Sequence, residues 1–217
     1  MKKILIIHNK YRESGGEDIA VSNEISLLNE HFEVKVLYFN NSINNYLTQA
    51  ISFLFNKNTE SQKILNLEIK KFKPDYAYVH NTWFKASIGI FETLKVNNVN
   101  VILKLHNYRH FCTASFSSKK HLSGDEICKA CGFQKESSRI FNKYFIDSHF
   151  KSLLVNYYGR RYSRILKYEN IKILVLTEFH KAFLKKLKIE ENKIFVLPNF
   201  IDIDKSIRKL NDDLFII

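Results

Sequence analysis

Four apolar runs of this chain end in polar side chains of the kind that build sites: His8 and Asn9, His80 and Asn81, His106 and Asn107, and Thr177 and Glu178. An imidazole can donate, accept or carry a proton near neutral pH, and an amide can donate and accept at once. A further candidate is the glycine pair in "NKYRESGGEDIA", where Gly15 and Gly16 lie between the first apolar run and the first helical pattern. The stretch contains neither G-x-G-x-x-G nor G-K-[ST], which excludes a dinucleotide fingerprint and a P-loop. Two readings remain open. In one, "SGGE" is a capping box with Ser14 as N-cap and Glu17 reaching back to it, a device that contributes about 1 kcal/mol. In the other, the pair leaves room for an anionic ligand at the backbone amides of a helix start. Two glycines in a first turn cost about 1 kcal/mol each relative to alanine, which favours a need for space.

These residues require elements to hold them. "KILII" (3–7), "EVKVLYF" (33–39), "DYAYVH" (75–80), "VNVILKLH" (99–106), "IKILVLT" (171–177) and "KIFVLPN" (193–199) read as strands. Between them, "EDIAVSNEISLLNEH" carries a mostly apolar stripe of Ile19, Ala20, Asn23, Leu27 and Leu28 at helical spacing. "SQKILNLEIKKF", stopped by Pro74, "ASIGIFETLKVNN" and "EFHKAFLKKLKI" are further helices. Alternating strands and helices predict a Rossmann-like α/β fold, a parallel sheet with helices on both faces. Ligands of such sheets bind beyond the carboxyl ends of the strands, where the four polar pairs fall.

Composition sets the outer limits. The 217 residues are 45% hydrophobic, with two prolines and six glycines, enough for one sizeable core. "MKKILIIHNK" has too short an apolar run for a secretory signal, and no stretch reaches the roughly 20 residues of a membrane span. Three cysteines without an export signal point to a cytoplasmic location rather than a disulfide framework. A net charge of +12 implies an anionic partner or a well-solvated surface. A nucleic-acid partner rests on charge alone, since recognition motifs and aromatic platforms are missing, and none is expected.

Together, "IIHNKYRESGGEDIAVSNEISLL", "YVHNTW", "ILKLHNYRHFC", "LVLTEFHKAFL" and "KIFVLPNFID" resemble the N-terminal half of family 4 glycosyltransferases, enzymes of the GT-B type. The resemblance implies that residues 1–205 form the acceptor-side domain and that 206–217 begin a truncated donor domain, with "DLFII" as its opening strand. It further implies a retaining transfer from a nucleotide sugar to a saccharide or lipid-linked acceptor in polysaccharide or glycolipid biosynthesis. No cofactor or divalent metal is required for that chemistry. By the same resemblance Gly15 and Gly16 contact the donor diphosphate, and His106 is the catalytic residue near the transferred sugar. His80, Asn81, Asn107, Arg109 and Glu178 are candidates for acceptor or substrate binding. Catalysis would need a donor-binding second half, in a separate chain or a longer parent. The alternative is a truncated, non-catalytic remnant or binding module of the same fold.

Two features stand apart. Cys112, Cys128 and Cys131, spaced C-x15-C-x2-C with His110 and His121 nearby, could supply a structural zinc site, against the reading of free thiols in a long loop. Residues 139–168 mix aromatic side chains with Lys143, Lys151, Arg160, Arg161, Arg164 and Lys167. Such a basic amphipathic helix can lie on an anionic membrane surface, which would make the protein peripheral on the inner face. Equally, it can pack its aromatics on the sheet and solvate its cations.

Overall fold

A computed structural model describes residues 1–10, 15–40, 52, 55, 57–83, 85–107, 150, 161–162 and 164–200. The strands are β1 (Lys3–Lys10), β2 (Glu33–Asn40), β3 (Tyr76–Val79), β4 (Asn100–Leu105), β5 (Ile171–Val175) and β6 (Ile194–Val196). The helices that connect them include α1 (Gly16–Asn29), α2 (Thr59–Phe72), α3 (Gly89–Val96) and α4 (Glu178–Lys186). All six strands are parallel, in the order β2-β1-β3-β4-β5-β6. The expected Rossmann-like α/β fold is therefore present, and the strand order reverses between β1 and β3.

Alternation along each strand divides the core into two layers. Leu5, Ile7, Ala77, Val79, Val101, Leu103, Ile173 and Val175 point to one face, where Leu65 and Ile69 of α2, Ile90 and Leu94 of α3, and Leu184 of α4 cover them. Ile4, Ile6 and Tyr78 point to the other face and pack with Val21, Ile25 and Leu28 of α1. Helices thus cover both faces. The stripe of α1 differs from the expected one, because Ile19 is 61% and Leu27 45% exposed. Its buried side is Ala20, Val21 and Glu24, so the sheet selects a face that includes a carboxylate.

Local chemistry explains the boundaries. Asn58 caps α2 by accepting from the amides of Glu60 and Ser61, both at 3.1 Å. The helix ends at Lys73, which adopts a left-handed conformation (φ 51°) just before Pro74. Thr177 caps α4 by accepting from the amide of His180 at 3.2 Å. Among the described residues no helix is long and apolar enough to cross a membrane.

Candidate functional site

The carboxyl ends of β1, β3 and β4 bring three histidines together on the face covered by α1. His8 lies two residues before the end of β1 at Lys10, His80 follows β3 and His106 follows β4. The rings of His8 and His80 lie edge to face with centroids 6.0 Å apart, and those of His80 and His106 are 5.3 Å apart. His80 Nδ1 and His106 Nε2 share a hydrogen bond of 3.0 Å. Beside them opens a narrow cleft of about 20 Å³, lined by Glu17, His80, Asn81, Thr82, Trp83, Lys104, Leu105, His106, Asn107 and Tyr162. It lies at the carboxyl ends of β3 and β4, beside the β1–β3 reversal of strand order at which parallel sheets bind ligands.

Under the histidines sits a buried polar layer that the sequence reading missed. Glu24 of α1 is 5% exposed and Lys104 of β4 is 1% exposed, and the two form an ion pair. Tyr78 donates its hydroxyl to the second carboxylate oxygen of Glu24, which lies 4.0 Å from His80 Nε2. Both charged residues interrupt apolar patterns, Glu24 within the stripe of α1 and Lys104 within "NVILKL". That shared interruption was the available signal. Each charge would be costly alone, and the pairing is what lets both be buried.

Burial and neighbouring charge keep His80 and His106 neutral. Burial, followed by the Lys104 ammonium and His8, pushes the pKa of His106 down to about 3. Burial also holds His80 well below the ordinary imidazole range, helped by His106, His8 and Lys104. Tyr78 is raised by burial and by the Glu24 carboxylate, so it keeps its proton and donates. At neutral pH His106 therefore acts as an uncharged hydrogen-bonding group, unsuited to a salt bridge with phosphate.

The glycine pair is arranged differently from the expected capping box. The N-cap of α1 is Gly15 and the third helical residue is Asp18, which accepts from the Gly15 amide at 2.9 Å. Ser14 lies outside the described residues. The box is shifted by one residue and half of it is lost, because glycine has no side chain to return the bond. Asp18 also binds His8 Nε2 at 2.8 Å, so one carboxylate joins the start of α1 to the end of β1. A Cβ placed on Gly15 or on Gly16 would meet no atom within 4 Å. No crowding among the described residues requires glycine at either position.

The remaining candidates divide. Asn107 lines the cleft and donates to Glu17 at 3.4 Å, tying the end of β4 to the first turn of α1. Asn81 donates to the carbonyl of Asn9 at 2.9 Å and accepts from the amide of Trp83 at 2.9 Å, so its amide fixes backbone at the strand ends. Asn9 does the same, accepting from the amide of Ala86 at 3.1 Å. Glu178 is exposed in the first turn of α4 and is not among the residues lining the cleft. Arg109, Cys112, Cys128 and Cys131, with His110 and His121, lie outside the described residues, as do residues 201–217. Among the described residues, no group of three or more His, Cys, Asp or Glu side chains is placed to hold a metal ion.

Most of the basic aromatic stretch is likewise outside the described residues, but its last part packs inward. Tyr162, Ile165 and Leu166 are 2% exposed or less. The Tyr162 hydroxyl donates to the Thr82 carbonyl at 3.0 Å and accepts from the Thr82 hydroxyl at 3.1 Å, closing one wall of the cleft.

No protein-family model matches the chain, and no curated protein matches it. Among solved structures it is similar to that of LpCGTa in complex with UDP, at 8% sequence identity and a TM-score of 0.48. The match covers 98% of this chain and 56% of that one, so this chain spans little more than half of its neighbour's length.

Proposed function

We propose that this chain is the acceptor-side domain of a retaining glycosyltransferase that uses a nucleotide sugar and becomes catalytic with a donor-binding second half. The observation that carries the reading is a cleft at the strand ends that joins a neutral histidine, His106, to the first turn of α1, where Glu17 follows the glycine pair. In this reading Gly15 and Gly16, which present no side chain at the helix start, admit the donor diphosphate to its amides. His106 hydrogen-bonds a hydroxyl near the reacting carbon, and Asn107 shapes the acceptor side. The five sequence motifs that resemble family 4 glycosyltransferases support the same assignment. A saccharide or lipid-linked acceptor, family 4 membership and attachment to the inner membrane face belong to this proposal.

A second reading, a binding module without turnover, is favoured by Asp18. Its carboxylate already takes the Gly15 amide and places negative charge in the first turn, where a diphosphate would compete with it. Sugar transfer measured with a donor-binding half supplied separates the two. Turnover that falls about 100-fold or more in His106→Ala and in Gly16→Val supports the enzyme reading. Retained turnover in both variants overturns the site assignment, and nucleotide-sugar binding without turnover in the unmutated protein establishes the module.

A further inference from the structure

The histidine pair carries more information than its position. Each ring is neutral, so in the 3.0 Å bond between His80 Nδ1 and His106 Nε2 one nitrogen donates and the other accepts. Two arrangements satisfy that bond, and they present opposite faces to a ligand. If His80 donates, His106 carries its proton on Nδ1. If His106 donates, its Nδ1 carries a lone pair.

Glu24 decides between them. His80 Nε2, on the far side of the ring, lies 4.0 Å from the Glu24 carboxylate oxygen that accepts from Tyr78. The ammonium of Lys104 is committed to the other oxygen. A lone pair on His80 Nε2 would face a carboxylate, which only accepts, and both would be repelled in a site screened from water. A proton there is attracted. His80 is 2% exposed and Glu24 is 5% exposed, so solvent does little to weaken the preference. With its proton on Nε2, His80 accepts through Nδ1, and His106 donates through Nε2.

We infer that Glu24 and His80 are positioning residues that hold His106 in the Nε2–H tautomer, so that His106 Nδ1 meets a ligand as a hydrogen-bond acceptor. Nδ1 of His106 is a buried nitrogen with no protein partner among the described residues, on a side chain that lines the cleft. The group it recognises is then a donor, such as a sugar hydroxyl, and not a phosphate or carboxylate oxygen. That His106 faces the ligand rests on the function proposed above, whereas its tautomer does not.

Long-range proton–nitrogen correlation spectra of the uniformly ¹⁵N-labelled, ligand-free protein at pH 7 read the tautomer directly. The His106 signals are assigned by their loss in His106→Gln. The expected result is a protonated Nε2 and an unprotonated Nδ1 in one dominant form. A protonated Nδ1, or two forms in comparable amounts, overturns the inference. In the double variant Glu24→Met, Lys104→Met the single-tautomer signature should be lost at His106; a signature unchanged in a folded double variant removes Glu24 from the argument. Should that variant fail to fold, the spectrum of the unmutated protein still decides. Absence of sugar transfer with the Nε2–H form present would overturn the enzyme reading alone, and a protonated Nδ1 with transfer intact would overturn this inference alone.

Discussion

Acidification from pH 7 to pH 5 should destabilise this protein steeply, and the buried histidines set the slope. His106 is held down to about pH 3 and His180, buried on α4, to about pH 4, in each case with burial as the largest cause. In the unfolded chain both return to the ordinary value near 6.5. Between 6.5 and about 4 the unfolded chain therefore binds two protons that the folded chain refuses, so folding stability falls as pH falls. Above 6.5 neither state binds them and the contribution is complete. One unit of pKa difference corresponds to about 1.4 kcal/mol, so the two groups together cost about 4 kcal/mol between pH 7 and pH 5. His80 is lowered as well and acts in the same direction. Against a typical domain stability of about 5–15 kcal/mol, the loss is large enough to approach acid unfolding. Urea unfolding followed by circular dichroism at pH 7, 6 and 5, at constant ionic strength, measures it. His180→Leu should flatten the slope by about 1.4 kcal/mol per pH unit without touching the cleft. An unfolding free energy that is unchanged from pH 7 to pH 5 would refute the claim that these imidazoles are buried and neutral.

The buried ion pair gives a second test. Lys104→Met leaves the Glu24 carboxylate buried without its cation and should cost about 3–5 kcal/mol, whereas Glu24→Met with Lys104→Met should recover most of that loss in thermal unfolding. Asn81→Ala removes both backbone contacts at the strand ends and should cost about 1–3 kcal/mol, measured by urea titration. Gly16→Val should leave thermal stability within about 1 kcal/mol of the unmutated protein, since open space surrounds the position, while weakening nucleotide-sugar binding measured by calorimetry.

Much of the architecture was legible because each element repeats its own pattern. Six strands appear at the six apolar runs, and Pro74 stops the helix before it, since backbone preferences and alternating burial are local properties. The helix opening at Gly16 was legible as a helix start but not in its detail. Its cap depends on Asp18 reaching both Gly15 and His8, and His8 comes from a different element. The stripe of α1 departs from its apolar pattern for a related reason. Hydrophobicity alone favours Ile19 and Leu27, yet the helix turns Glu24 inward because Lys104 and Tyr78 wait on the sheet.

From sequence alone came the strand-helix alternation, the parallel sheet and the placement of histidines at strand ends, because these follow from period, chain direction and the rule that strands run the same way. Only the tertiary structure decided what those histidines are to one another. The strand order set β1, β3 and β4 side by side, which brought His8, His80 and His106 into one cluster and placed Glu24 beneath it. Pairings across 26 to 80 residues of chain are matters of register and burial, and burial is what makes His80 and His106 neutral and the ion pair necessary.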